Sequence, residues 1–133
     1  MNKRLLNYLF PAVLFGVFTG IMVLYGVAFT PPAAKKQMVI CYKFKPEVDQ
    51  AKIEKHMIDF KDLKRNSKEI VGYTAGFTLN DSPQKKDYDV MHHLTFKNDE
   101  DIEKYRQSAA YKSFVDSHKD LWEKEFEVKA EIK

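Results

Sequence analysis

From residue 5 to residue 34 the chain carries no charged side chain, whereas the 99 residues that follow are dense in Lys, Glu and Asp. No single compact fold suits both stretches, because the first has no polar face to turn toward water and the second holds too many charges to bury. The chain therefore divides into a leader, residues 1–34, and one small water-facing domain, residues 35–133. The leader opens with Lys3 and Arg4, stays apolar to residue 29, and ends in Thr30-Pro31-Pro32-Ala33-Ala34 ahead of Lys35 and Lys36. As a helix, its apolar run of about 25 residues crosses a hydrocarbon core of about 30 Å.

A cationic start before an apolar run also opens a secretory signal, and Gly26-Val27-Ala28 fits a small-x-small cleavage site. The run is nevertheless longer than the roughly 7 to 15 residues usual in a cleaved signal, so an uncleaved signal anchor is expected. Lys35 and Lys36 balance Lys3 and Arg4, so flanking charge does not choose an orientation. Export of the C-terminal domain, periplasmic or extracellular, is expected, with secretion if the leader is cleaved. Pro11, Gly16 and Gly20 are tolerated in a membrane span.

Lys3 and Arg4 account for two of the 22 basic residues, leaving 20 against 19 acidic ones in the domain. Lys52, Glu54, Lys55, Asp59, Lys61, Asp62 and Lys64 alternate in sign, the pattern of a solvated helix face rather than of the basic stripe that nucleic acid requires. No nucleic-acid partner is expected. Cys41 is the only cysteine, which excludes an intramolecular disulfide and suggests core packing. Asn80-Asp81-Ser82 matches a glycosylation sequon.

Hydrophobic period gives the order of elements. Met38, Ile40, Tyr42 and Phe44 alternate with Val39, Cys41 and Lys43, a strand with two partly apolar faces. Pro46 ends it, Asp49 can cap a helix, and Ile53, Met57, Phe60 and Leu63 recur at helical spacing. Val71, Tyr73, Ala75, Phe77 and Leu79 mark a second strand; Tyr88, Val90, His92, Leu94 and Phe96 a third. Asn98 can cap a helix through Ile102 and Tyr105, a broken helical stretch carries Tyr111, Phe114 and His118, and Phe126, Val128, Ala130 and Ile132 form the last strand. The order βαββαβ is that of an α+β, ferredoxin-like fold: an antiparallel sheet with helices on one face. The apolar second faces of the first and third strands call for a partner, which a two-fold homodimer supplies.

The run Val39-Ile40-Cys41-Tyr42-Lys43-Phe44-Lys45-Pro46, Gly72 before strand two, Tyr88 through Thr95-Phe96, and Ile102-Glu103-Lys104-Tyr105 together resemble the stress-responsive dimeric α/β-barrel (Dabb) family. The resemblance covers residues 37–133 and implies a homodimer whose two sheets form a barrel. Some members are enzymes without metal or organic cofactor, among them a plant polyketide cyclase, and many have no known activity. Carried over residue by residue, the family's His at the start of strand one falls on Met38, its second His on Tyr111, its nearby Pro on Ala109 and its last-strand Asp on Lys129. Tyr105 alone is kept from the cyclase-like Tyr/His pair. A phenol with an ordinary pKa near 10 does not replace imidazole as a base near neutrality.

Candidate site residues are therefore His92, Tyr105 and Tyr111, as ligand contacts. His92 and His93 adjoin on a strand and point to opposite faces, which argues against one shared metal ion, and no metal or cofactor is expected. His56 and His118, on helices among charges, are expected at the surface or its edge. Cys41 has no evident His partner in sequence, and neither a Gly-x-Ser-x-Gly elbow nor a phosphate-binding Gly loop occurs. The expected function is a membrane-anchored homodimeric domain that binds a small apolar molecule between sheet and helices, with no catalytic residue assigned. Two alternatives remain: a cofactor-independent cyclase, isomerase or monooxygenase using His92 with Tyr105 or Tyr111, and a structural dimerisation module at the membrane.

Overall fold

A computed structural model describes residues 3–28, 33–79 and 86–133. Its two compact units are Met1–Pro31 and Pro32–Lys133. In the first, helix α1 (Lys3–Ala28) is uninterrupted at Pro11. Its window Lys3–Ile21, 19 residues of mean hydropathy 1.4, is long and apolar enough to cross a membrane, a property signal sequences share. The sequon at Asn80-Asp81-Ser82 lies outside the described residues.

The second unit runs β1 (Lys36–Phe44), α2 (Gln50–Asn66), β2 (Ile70–Phe77), β3 (Val90–Phe96), α3 (Asp99–Gln107), α4 (Ala109–His118), a 3-10 turn Lys119–Leu121, and β4 (Trp122–Glu131). The strands form one antiparallel sheet in the order β2-β3-β1-β4. This is the ferredoxin-like α+β fold that the order of elements indicates. Both expected caps are in place: the Asp49 carboxylate accepts from the Lys52 N–H at 2.9 Å, and the Asn98 side chain from the Asp101 N–H at 2.8 Å. Asp99, Glu100 and Asp101 in the first turn of α3, with Lys104 and Arg106 in its last, complement the helix dipole.

Alternation decides which side chains meet the helices. Met38, Ile40, Tyr42 and Phe44 of β1 and Val90, Leu94 and Phe96 of β3 are buried. Phe60 and Leu63 of α2, Ile102 and Tyr105 of α3 and Phe114 of α4 close over them. The opposite sheet face stays open. Register places Val39 between His93 and Val128, and Cys41 between Met91 and Phe126. Met91, Phe126 and Val128 remain 43, 48 and 45 % exposed. Cys41 is thus a half-buried residue of this open face and not of the core, because strand parity sets it opposite Ile40 and Tyr42.

Three strand boundaries differ from the periodicity. β2 stops at Phe77 and β3 starts at Val90 because Asp89 serves β1 as well: its N–H donates to the Tyr42 carbonyl at 2.9 Å. Its carboxylate accepts from the Phe44 N–H at 2.9 Å and the Lys43 ammonium at 3.0 Å. β4 begins four residues before Phe126, at Trp122.

Candidate functional site

Parity on β3 turns His92 inward, fully buried, and His93 outward, where it bonds Gln37 at 3.2 Å. The opposite orientation expected of the two imidazoles is what the strand enforces. Inside, His92 meets a residue expected at the surface. His56 lies one helical turn before Phe60 and is 0 % exposed; its Nε2 stands 3.3 Å from Nε2 of His92. The buried stripe of α2 runs His56, Phe60, Leu63 rather than along Met57, which is half-buried, so flanking Lys55 and Asp59 hide an inward histidine. The Trp122 indole donates to His56 Nδ1 at 3.4 Å, and His92 Nδ1 lies 2.8 Å from the Tyr73 hydroxyl. The His92 ring stacks on Phe60 with centroids 3.7 Å apart.

Burial, followed by the charge of His118, pushes the His56 pKa down to about 3. Burial, followed by His56, pushes that of His92 down to about 2. Both rings are therefore neutral and are weak proton acceptors near neutrality, suited to hydrogen bonding more than to proton abstraction. His118, also expected at the edge, is 3 % exposed. Its Nε2 bonds the Asp59 carboxylate at 2.8 Å, tying α4 to α2. Burial alone would raise the Asp59 carboxyl, but hydrogen bonds from Lys55 and His118 outweigh it and hold the group below the usual carboxylate range.

The two candidate tyrosines do converge, and one serine is the reason. Ser108 ends α3 and caps α4, its hydroxyl donating to the Tyr105 carbonyl at 2.7 Å and accepting from the Tyr111 N–H at 3.2 Å. The chain bends there, bringing the Tyr105 and Tyr111 rings to 4.9 Å. A third phenol, not singled out from the sequence, completes the group: Tyr42 on β1, opposite Glu125 of β4. Its ring lies 4.3 Å from Trp122 and 5.8 Å from His92, against the histidine group, and Tyr111 and Tyr105 are close enough to help raise its phenol pKa. Tyr42 read as core because it sits in register with Ile40 and Phe44; only the hydroxyl on a strand of otherwise apolar inward residues hinted at more. Arg106 on α3 pairs with Glu127 of β4 at the outer side.

The polar atoms here are incompletely matched. Tyr42 and Tyr105 are both 0 % exposed, yet neither hydroxyl has a hydrogen-bond partner among the described residues, nor does Arg106 Nε. Burial pushes both phenol pKa values far up, helped by Glu125 and Tyr111 for Tyr42 and by Tyr111 for Tyr105. Tyr111 is pushed up by burial and then by Glu125. The group is thus a set of neutral hydrogen-bond donors, two of them buried without an acceptor, a state that ordinarily costs about 1 to 3 kcal/mol per group. His92 adjoins Tyr42, with ring centroids 5.8 Å apart, and Tyr105 adjoins Tyr111. Two surface clefts, about 370 Å³ beside Lys43, Lys45 and Glu123 and about 280 Å³ between α2 and α4, are lined by other residues. No cluster of three or more His, Cys, Asp or Glu placed to hold a metal occurs among the described residues.

With this geometry, the profile of the stress responsive A/B barrel domain matches residues 37–131. The chain belongs to that family. Solved structures agree on the fold. A hydroxynitrile lyase from Passiflora edulis superposes with a TM-score of 0.68 at 17 % identity, over 77 % of this chain and 96 % of its own. A dimeric ferredoxin-like protein of unknown function from Thermobifida fusca gives 0.67 at 10 %, over 78 % and 96 %. A dimeric protein of unknown function from Bacteroides fragilis gives 0.61 at 16 %, over 74 % and 96 %. Among curated proteins, none matches the chain.

Proposed function

We propose that the protein is a homodimeric A/B barrel domain, anchored by α1 with the domain exported, that binds a small, largely apolar molecule carrying an acceptor oxygen. The observation that carries the binding reading is the pair of fully buried, unpartnered hydroxyls of Tyr42 and Tyr105. A protein interior rarely leaves such donors unmatched, and a ligand carbonyl or carboxylate would satisfy both. Tyr111 and Arg106 beside them are each half-buried and so reachable from solvent. Dimerisation is supported by the open apolar sheet face and by the dimeric relatives.

Catalysis by His92 as general base has little support, since its buried imidazole is a weak acceptor near neutrality. The tight stack of His92 on Phe60 instead favours, as second reading, a purely structural dimerisation module. Titration with acetophenone and with ethylbenzene, which share a skeleton and differ in the carbonyl, separates the two. Binding of the ketone about tenfold tighter than the hydrocarbon, with the preference reduced in Tyr105→Phe, is the expected result. Absence of binding by either compound would leave the structural module.

A further inference from the structure

The histidine group contains a hydrogen-bond sequence whose direction is fixed at one end. An indole N–H can only donate, so Nδ1 of His56, 3.4 Å from Trp122 Nε1, must accept. A neutral imidazole carries one proton, which places that of His56 on Nε2, facing His92 Nε2 at 3.3 Å. His92 then accepts at Nε2 and carries its own proton on Nδ1, which donates to the Tyr73 hydroxyl oxygen at 2.8 Å. Any other assignment sets two N–H groups against each other at one of these contacts. With its oxygen occupied as acceptor, the Tyr73 O–H is left to donate elsewhere.

We propose that Trp122, His56 and His92 form a one-way relay that makes Tyr73 a dedicated donor to the ligand's acceptor oxygen, a third phenol beside Tyr42 and Tyr105. This rests on the binding reading above. Tyr73 is half-buried and so accessible where Tyr42 and Tyr105 are not, and the His92 ring it bonds at 2.8 Å lies 5.8 Å from that of Tyr42. Its ring is held by stacking at 5.7 Å on Phe60 and 5.9 Å on His92. Burial pushes its pKa up to about 12, so the proton stays available for donation at neutral pH. Trp122, His56 and His92 touch no ligand in this scheme; they are positioning residues that set the hydrogen's direction. The site thereby selects molecules that accept hydrogen bonds, such as ketones and carboxylates, over those that only donate.

The test uses the full chain in lipid nanodiscs with 15N-labelled histidine, and acetophenone and phenylacetate as probes. Long-range 1H–15N spectra at pH 7 should show His56 protonated on Nε2 and His92 on Nδ1. Trp122→Phe should convert His92, two hydrogen bonds away, to a mixture of tautomers, which lost packing alone would not do. Tyr73→Phe should bind the probes about tenfold more weakly while keeping the wild-type tautomer at His56. A wild-type His92 protonated on Nε2, or charged, overturns the relay. Expected tautomers with unchanged probe affinity in Tyr73→Phe overturn the ligand role of Tyr73 and leave the binding reading standing. Failure of both probes to bind the wild type removes the binding reading, and this inference with it.

Discussion

Lowering the pH from 7.5 to 5 should destabilise the domain through two interior histidines. His56 and His92 stay neutral when folded, their pKa values held at about 3 and about 2. In the unfolded chain each reverts to about 6.5, so below that pH the unfolded state binds protons that the folded state refuses. Stability from these groups is fully present above about pH 7 and is lost as pH falls from about 6.5 toward the folded values. At about 1.4 kcal/mol per unit, pH 5 costs about 2 kcal/mol per ring and about 4 kcal/mol for both. The figure depends on the unfolded value alone, since both folded values lie well below pH 5. Urea unfolding of residues 33–133 at fixed protein concentration measures it. With a slope of about 2 kcal/mol per molar, the midpoint should fall by about 2 M. Other groups titrate in the same window, so the decisive comparison is His92→Gln, whose pH-dependent loss should be smaller than wild type by about 2 kcal/mol. Equal pH dependence in wild type and His92→Gln would refute the argument that His92 is neutral when folded.

Three further perturbations test packing and assembly. Gly72→Ala would put a Cβ 2.8 Å from Thr95 Oγ1 and should cost about 1 to 3 kcal/mol in thermal or urea unfolding, with Thr95→Ala recovering most of it. Val39→Glu sets a charge in the middle of the open sheet face and should convert the proposed dimer to monomer in sedimentation; an unaltered profile would count against that interface. Tyr105→Phe deletes a buried hydroxyl without a partner, so folding stability should hold or rise by up to about 1 kcal/mol while acetophenone affinity falls.

What the sequence discloses about the domain follows from local rules, and what it hides is tertiary. Period-two alternation in β1 and β3 and the caps Asp49 and Asn98 place the elements because each is a property of a few neighbouring residues. The ends of β2 and β3 are less legible because Asp89 is claimed by β1, a contact 45 residues away along the chain. Tyr105 and Tyr111 are recognisable by their spacing across a helix break. Tyr42 is not, because a phenol in register with Ile40 and Phe44 has the same pattern as a packed ring. His56 is masked by charged neighbours, and its pairing with His92, 36 residues on, leaves no trace in local periodicity. Cys41 has the right strand and the wrong face, since alternation fixes parity within a strand but not which parity the helices cover.

The most direct test is a high-resolution crystal structure of residues 33–133 grown with acetophenone. The account predicts the ketone oxygen within hydrogen-bond reach of the Tyr42 and Tyr105 hydroxyls. Ligand-free density with both hydroxyls bonded to protein acceptors such as Glu125 would contradict it.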